Sequence, residues 1–198
     1  MYRRLAYAVV YAVAAWTLNL FAATPAVATG AAPPAELYGS GTLTAPNPTS
    51  TAVTYNPALA PIGATVTGII TSSANSTMAE LVISGLLPNR GYAVHTHTNA
   101  CGATSEAAGP HYQNRIDPAA TPQAPSTNPE YANPSNEIWL DVRTDATGSG
   151  RSHTTVPFIF TDRAPGSIVV HEAMATATHP GHAGQAGGRL ACLTLSRR

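Results

Sequence analysis

Short runs of Val, Ile, Leu, Tyr and Thr recur along most of this chain and are separated by Gly, Pro and Asn. Runs of β-branched and aromatic residues bounded by turn residues favour short strands over long helices. Eight such runs predict strands at residues 51–55, 65–71, 78–84, 92–98, 138–144, 152–159, 167–171 and 190–195. Eight short strands imply an all-β sandwich or barrel.

Two stretches lack this pattern. Residues 29–48 look like a linker that holds one candidate edge strand at residues 36–44. Residues 112–137 are rich in Pro and Asn and show neither a strand period nor a helix period. Loops of this length in compact domains are usually functional or disordered.

The N-terminus predicts export. Two arginines precede an almost wholly apolar stretch at residues 5–23, and an Ala-Val-Ala sequence ending at Ala28 provides the small residues that a signal peptidase requires. We expect residues 1–28 to be removed, which leaves residues 49–198 as the folded domain of a secreted, periplasmic or cell-envelope protein. A retained membrane anchor is the alternative, because about 19 apolar residues can span a bilayer. It is disfavoured by interrupting residues, namely Thr17, Asn19 and Pro25.

The charge of the chain excludes one class of partner. Charged residues are only 10% of the sequence, the formal net charge is zero, and all ten basic residues are Arg. Because there is no basic patch to hold phosphates, we expect no nucleic-acid partner. Loss of Arg3 and Arg4 with the signal peptide leaves eight basic and ten acidic side chains, a formal charge of −2, and we expect no membrane association of the mature protein.

The chain holds two cysteines, Cys101 and Cys192. In an exported protein an even cysteine count is most simply a disulfide, so we expect these two residues to be bonded. A cysteine ligand to copper, beside the histidines, is the alternative, although Met174 is not well placed to complete such a site.

Three of the seven histidines lie within residues 92–111, which read YAVHTHTNACGATSEAAGPH. Because residues i and i+2 share a face of a strand, His95 and His97 can direct both rings at one point. An H-x-H pair alone is more often two surface histidines. Three further motifs favour metal ligation: Gly109-Pro110-His111, Val169-Val170-His171-Glu172 and Gly187-Gly188-Arg189-Leu190-Ala191-Cys192.

The order of these motifs resembles that of the copper/zinc superoxide dismutase family over roughly residues 50–197. The resemblance implies an eight-stranded Greek-key β-barrel, an immunoglobulin-like sandwich with long loops. It also implies an active-site Arg three residues before the second disulfide cysteine, which is here Arg189. The implied copper ligands are four imidazoles, those of His95, His97, His111 and His171.

The chain departs from the family where zinc would bind. Family members with zinc use the G-P-H histidine as a bridge and take two more His and one Asp from the following loop. Residues 112–137 hold no histidine, so we predict copper without zinc, as in copper-only members of the family. Glu137 is our candidate acceptor for the second ring N–H of His111, and a solvated loop residue is the alternative. The carboxylates of this loop are Asp117, Glu130 and Glu137.

The resemblance implies a superoxide dismutase, in which one superoxide reduces Cu(II) and leaves as O₂ and a second reoxidises Cu(I) and leaves as H₂O₂. His111, released from copper on reduction, is expected to carry a proton. Arg189 is expected to attract and orient superoxide, and a structural Arg bonded to a backbone carbonyl is the alternative. A secreted copper-buffering protein without turnover is the alternative function, and a structural or adhesive domain is a third.

Residues 172–187 correspond to the family's electrostatic loop, but they hold no Lys, Arg or Asp after Glu172. We therefore expect an open copper site and a weak dependence of rate on salt. His179 and His182, spaced H-P-G-H in this loop, are either a weak second metal site or simply exposed. His153 is isolated on a predicted strand and is expected on the surface.

Overall fold

The computed structural model describes residues 35–121 and 123–198, so the signal peptide predicted at residues 1–28 lies outside the described residues. The described part is all-β, as the sequence predicts, with one short 3-10 helix at Ser105–Ala108. No helix in it has the length and apolarity needed to cross a membrane. Its strands are β1 (Ala35–Thr42), β2 (Ala52–Thr54), β3 (Thr65–Ser73), β4 (Ser76–Ser84), β5 (Gly91–Tyr92), β6 (Val94–His97), β7 (Val142–Arg143), β8 (Gly150–Val156), β9 (Ser167–His171), β10 (Arg189–Thr194) and β11 (Ser196–Arg197).

The strands form two main antiparallel sheets and one small one. The first sheet has the order β11-β1-β3-β4-β8, the second has the order β2-β10-β9-β6, and β5 pairs with β7. Buried and less buried residues alternate along β3 and β4, because successive side chains of a strand point to opposite faces. The first sheet thus has one face on the core and one toward solvent. His153 lies exposed on β8, opposite Glu80 of β4.

The core lies between the two main sheets. Gly68 of β3 leaves room for Ile168 of β9, because a Cβ at Gly68 would overlap the δ-methyl group of Ile168. This close approach joins the strand that ends in His171 to the first sheet. The first sheet contributes Leu37, Val66, Ile70, Leu81 and Ile83 to the core, and the second contributes Val94, Ile168, Val170 and Leu193.

The second sheet is covered on both faces, since every residue of β6 and β9 is buried. Val94 packs in the core, so the next and alternate positions, His95 and His97, point to the outer face. On that face Ala108 packs with Val169 of β9. The segment of residues 98–111 therefore shields the outer face from water.

Most predicted strands are found with ends shifted by one to three residues, whereas two are broken and one has a different place in its sheet. Residues 92–98 divide into β5 and β6 because the N–H of Ala93 turns to the carbonyl oxygen of Ala173, 2.8 Å away. Residues 138–144 retain only β7, since the side chain of Asp141 accepts the N–H of Val94 (3.1 Å) in place of a backbone carbonyl. The strand expected at residues 36–44 is β1. It is not at the edge, because β11 pairs with its outer side.

The loop of residues 112–137 contains no strand or helix in its described part, as predicted. Side-chain amides take the place of backbone partners there. Asn136 donates to the carbonyl oxygens of Arg115 and Tyr131, each at 2.8 Å, and accepts the N–H of Arg115 at 2.8 Å. These bonds return the chain to Gln113, which forms an isolated bridge with Glu137. The end of the loop therefore lies beside its beginning at His111.

Candidate metal centre

Three neighbouring elements bring the four predicted histidines together. His95 and His97 lie on the outer face of β6, and His171 ends β9, which pairs with β6. His111 follows the 3-10 helix and forms an isolated β-bridge with His97. His95, His97 and His171 are buried, whereas the side chain of His111 is 19% exposed.

The four rings face each other at the spacing of metal ligands. His95 Nδ1 lies 3.0 Å from His111 Nε2, and His97 Nε2 lies 3.1 Å from His171 Nε2. One ring nitrogen of each histidine lies within 4.8 Å of the other three. Nitrogens bound at about 2 Å from one ion are separated from each other by about 3 to 4 Å. The four histidines could therefore hold a metal ion, and no other group of three or more such side chains in the described residues has this spacing.

Hydrogen bonds to the other ring nitrogens fix the direction of the lone pairs. His97 Nδ1 lies 2.8 Å from the carbonyl oxygen of Gly109, and His111 Nδ1 lies 3.1 Å from a carboxylate oxygen of Glu137. These oxygens accept, so each Nδ1 carries the hydrogen and each Nε2 keeps its lone pair. His171 Nδ1 has a longer contact of 3.5 Å with the carbonyl oxygen of Gly187. Because lone pairs that face each other at about 3 Å repel, the arrangement fits a cation between the rings.

His95 reaches its acceptor through a hydroxyl group. His95 Nε2 lies 2.6 Å from Thr176 Oγ1, which lies 2.7 Å from a carboxylate oxygen of Asp141. The hydroxyl donates to the carboxylate and accepts from His95 Nε2, so His95 Nδ1 keeps its lone pair toward the other three rings. Asp141 also accepts the N–H groups of Thr176 (2.7 Å) and Val94 (3.1 Å). No sequence motif marks Thr176 or Asp141, which are 35 positions apart.

Burial keeps these rings neutral. It lowers the pKa of His95 and of His97 well below the ordinary value of 6.5, and it lowers the pKa of His171 to about 3. Electrostatic repulsion by the neighbouring imidazole of His111 lowers each pKa further. Neutral imidazole is the form that binds metals. At neutral pH the protein therefore presents ligands that need not lose a proton first.

Glu137 is buried, with 2% of its surface exposed, so it is not a solvated loop residue. One carboxylate oxygen accepts from His111 Nδ1 (3.1 Å) and from Trp139 Nε1 (2.7 Å), and the other accepts from Gln113 Nε2 (2.8 Å). The geometry places Glu137 where the sequence predicts the acceptor for His111. No sequence signal marked Gln113 or Trp139.

The other two carboxylates of the 112–137 loop have different partners. Asp117 is buried and accepts the hydroxyl of Ser126 at 2.5 Å and the N–H of Ala119 at 2.9 Å. Glu130 is exposed and lies 2.9 Å from the guanidinium of Arg115. Each carboxylate of the loop therefore serves a separate contact.

Arg189 begins β10 beside His171, its partner in the ladder with β9. Its Nη1 donates to the carbonyl oxygen of Ser105 (2.8 Å) and its Nη2 donates to that of Gly109 (2.7 Å). It makes the backbone contacts of a structural Arg, and these contacts hold it against the segment that carries His111. Within residues 35–121 and 123–198 it forms no salt bridge. No carboxylate of that part is in salt-bridge contact with its guanidinium, and Glu106 is the carboxylate whose charge acts on it without such a contact.

Cys101 and Cys192 form a disulfide, as predicted. Neither thiolate is available to a metal, which excludes the cysteine-ligand alternative. The bond joins the segment of residues 98–111 to β10, three residues after Arg189. The disulfide and the two hydrogen bonds of Arg189 together hold His111 over the outer face of the second sheet.

A cavity of about 600 Å³ opens beside His111 and His171, two of the four histidines. It gives a small anion a path from solvent toward the exposed side of His111. Arg163 is a second cation at its wall and is held by the carbonyl oxygens of Asn114 (2.8 Å) and Gln113. No motif marks Arg163 in the sequence. The lining includes His111, His171, Glu137, Arg163 and Arg189, with residues 184–187 along one side.

His179 and His182 lie outside this centre, on an exposed turn of the 173–188 segment, with ring centroids 4.8 Å apart.

Comparison with known proteins assigns no family: no family model matches the sequence, and no curated protein is significantly similar to it. What the chain does must therefore be inferred from its own side chains and motifs.

Proposed function

We propose that this protein is a secreted copper-dependent superoxide dismutase, which converts two superoxide anions and two protons into O₂ and H₂O₂. The observation that carries the proposal is the convergence of four imidazole lone pairs beside Arg189, at the wall of a cavity. Bound copper would alternate between Cu(II) and Cu(I), taking an electron from one superoxide and giving it to the next.

The donor set favours copper over other common ions. Imidazole nitrogen suits Zn, Cu, Fe and Ni, and Cu(II) binds most tightly among the divalent ions of the first row. Hard oxygen ligands are not among the four facing atoms, because Glu137 contacts the far nitrogen of His111. We infer one copper ion and no zinc, since the three carboxylates of the 112–137 loop are engaged in separate contacts.

Arg189 attracts and orients the substrate. A guanidinium has five N–H donors, and two of its nitrogens, Nη1 and Nη2, each donate to a backbone carbonyl oxygen. The remaining donors are available to an anion that enters the cavity. Fixed positive charge at the wall of a low-dielectric cleft raises both the local concentration of an anion and its rate of arrival.

His111 supplies a proton to the product. It is partly exposed, it lines the cavity, and its Nδ1 is held by the carboxylate of Glu137. Imidazole can exchange protons near neutral pH, so this ring would relay a proton from solvent to the departing peroxide through Nε2, the nitrogen that Glu137 leaves free. Glu137 thus keeps the ring oriented throughout.

The proposal includes the eight-stranded Greek-key barrel that the resemblance implies. If the two-residue strands are left aside, four strands of the first sheet face four strands of the second sheet across one core. The order β2-β10-β9-β6 requires crossovers between distant parts of the chain.

The proposal also includes export by residues 1–28 to the cell envelope or the medium. An oxidising compartment of that kind favours the Cys101–Cys192 disulfide.

The test is turnover by copper-loaded, zinc-free protein. We expect about one tightly bound copper per chain by metal analysis, as four ligands for one ion require, together with rapid disproportionation of superoxide. His97→Gln should abolish both copper binding and turnover, while His153→Gln, on the exposed face of β8, should change neither. Tight copper without turnover would instead favour the copper-buffering function. Failure to bind copper would overturn both.

A further inference from the structure

We propose that His179 and His182 form a second metal site, which holds one copper(II) ion at the protein surface. The site goes beyond the proposed function, because it uses neither the four buried histidines nor Arg189. The chain has seven histidines. Four of them belong to the buried centre and His153 stands alone on β8. His179 and His182 are the two histidines that remain.

The sequence His179-Pro180-Gly181-His182 creates the pair by forming a tight turn. The N–H of His182 donates to the carbonyl oxygen of His179 at 3.1 Å, and Gly181 has a φ of 78°. Proline at the second position and glycine with positive φ at the third are the signature of a type II β-turn. Such a turn brings its first and fourth Cα atoms within about 7 Å of each other. The two histidines occupy those two positions.

The two rings have the spacing of ligands that share one ion. Their centroids lie 4.8 Å apart and their planes are inclined by 38°. Ring pairs in the buried centre provide a comparison within the same molecule, and their centroid distances run from 4.1 Å for His95–His111 to 5.6 Å for His111–His171. The exposed pair lies within this range.

Gln185 orients His182 as an outer partner orients a metal ligand. His182 Nδ1 lies 2.8 Å from Gln185 Oε1, an oxygen that only accepts, so Nδ1 carries the hydrogen and Nε2 keeps its lone pair. The base of the turn is closed by two backbone hydrogen bonds between Ala177 and residues 184 and 185, at 2.9 and 3.0 Å. Ala183 is fully buried beside the pair. The turn is therefore anchored, and the ring of His182 is positioned before a metal arrives.

The surroundings leave room for an ion with open coordination positions. Both rings are exposed, and a Cβ placed on Gly181 would meet no atom within 4 Å. Residues 173–188 contain no charged side chain, so no salt bridge of that segment accounts for the pairing. Two imidazoles with water in the other positions favour Cu(II) over other divalent ions. Having two ligands rather than four, the site should bind more weakly than the buried centre.

The experiment uses full-length protein whose four-histidine centre is already loaded with copper, and it adds copper(II) held by iminodiacetate, a chelator that leaves free positions on the ion. Titration of the full chain should show one chelate bound. His179→Ala and His182→Ala should each weaken binding by about tenfold or more, because the second ring acts at a high effective concentration. His153→Ala, which removes a lone exposed ring, is the matched control and should bind as the wild type does.

A second variant tests the turn with both rings intact. Gly181→Ala introduces a side chain where φ is 78°, which strains the turn without a steric clash, so chelate binding should weaken. Gly63→Ala is the control, since its φ is 92° and its surroundings are equally open. Wild-type affinity in His179→Ala, His182→Ala or Gly181→Ala, or an equal loss in His153→Ala, overturns the proposal.

Discussion

Arg189 and His97 hydrogen-bond to the same oxygen atom, the carbonyl oxygen of Gly109. Arg189 Nη2 lies 2.7 Å from it and His97 Nδ1 lies 2.8 Å from it. Gly109 has a φ of 72°, and a Cβ there would overlap the side chains of Thr98 and Asn99. Only glycine fits, so this position fixes one acceptor for both Arg189 and His97.

Arg189→Gln should lower kcat/KM for superoxide by about tenfold or more, because steering by fixed charge contributes factors of that order. The remaining dependence of rate on ionic strength should also flatten. Arg189→Lys should have a kcat/KM between those of the wild type and Arg189→Gln, since lysine keeps the charge but cannot bind both carbonyl oxygens in one plane. Stopped-flow measurement over a salt series checks this. Arg151→Gln, on the exposed face of β8, is the control, and unchanged kcat/KM in Arg189→Gln would contradict the role of Arg189.

Glu137→Gln should weaken copper binding by about 10- to 100-fold, the usual loss when the outer partner of a metal-binding histidine is removed. The carboxylate accepts from three side chains, whereas an amide has only one accepting oxygen. Competition with a copper chelator measures the affinity. Glu130→Gln changes an exposed carboxylate of the same loop, whose ion pair with Arg115 is worth little, and should bind copper as the wild type does. Equal affinities in the two variants would refute the role of Glu137.

Thr176→Val should also weaken copper binding, by about tenfold. Valine has nearly the shape of threonine but removes the hydroxyl that joins His95 to Asp141, which leaves the buried His95 Nε2–H without its acceptor. The same chelator competition applies. Thr155→Val, at an exposed position of β8, controls for the substitution itself. Undiminished affinity in Thr176→Val would show that the hydroxyl does not position His95.

The strands were predictable where neighbouring residues alone decide them. Residues 167–171 are β9 with the predicted bounds, and residues 65–71 and 78–84 lie within β3 and β4. The local sequence pattern predicted a strand at residues 138–144, but only β7 forms there. The reason is that the carboxylate of Asp141 accepts the N–H of Val94, which lies 47 positions away in sequence. A contact of this kind depends on how the sheets meet and leaves no trace in a run of five to eight residues.

The four histidines could be named from the sequence because each lies in a motif, and two of them share one strand. Their hydrogen-bond acceptors divide into two groups. Glu137 could be named because the resemblance places it near the family's zinc-binding Asp, but Thr176 lies in a segment without charge and Asp141 lies in an apolar run. Their roles arise only when the segments of residues 138–144 and 173–188 meet over His95.

Reduction of the disulfide, or the double substitution Cys101→Ser and Cys192→Ser, should lower the free energy of unfolding by about 4 to 5 kcal/mol on the chain-entropy model. The bond closes a long loop, with a sequence separation of 91, and so restricts the unfolded chain strongly. Denaturant titration of copper-free protein measures the change. A loss below about 1 kcal/mol would show that the entropic account fails for this chain.

The copper-free protein should lose stability as pH falls below 6.5. In the folded state burial holds the pKa of His95 and His97 well below 6.5 and that of His171 at about 3, whereas in the unfolded chain each ring titrates near 6.5. Above pH 6.5 both states are neutral and the stability is complete. Between 6.5 and about 3 the unfolded chain binds protons that the folded protein does not, at about 1.4 kcal/mol for each unit of pKa difference.

Denaturant midpoints between pH 8 and pH 4 test this dependence. His171→Gln removes one depressed pKa and should make the loss on acidification shallower, while His153→Gln, which removes an exposed ring, should leave the slope unchanged. Bound copper should shift the loss of stability to lower pH. An ion held by the four lone pairs stabilises only the folded state and competes with protons for the same nitrogens. A midpoint that stays constant or rises as pH falls from 6.5 to 4.5 would mean that these three rings are protonated in the folded protein, and three converging cations could not then act as ligands.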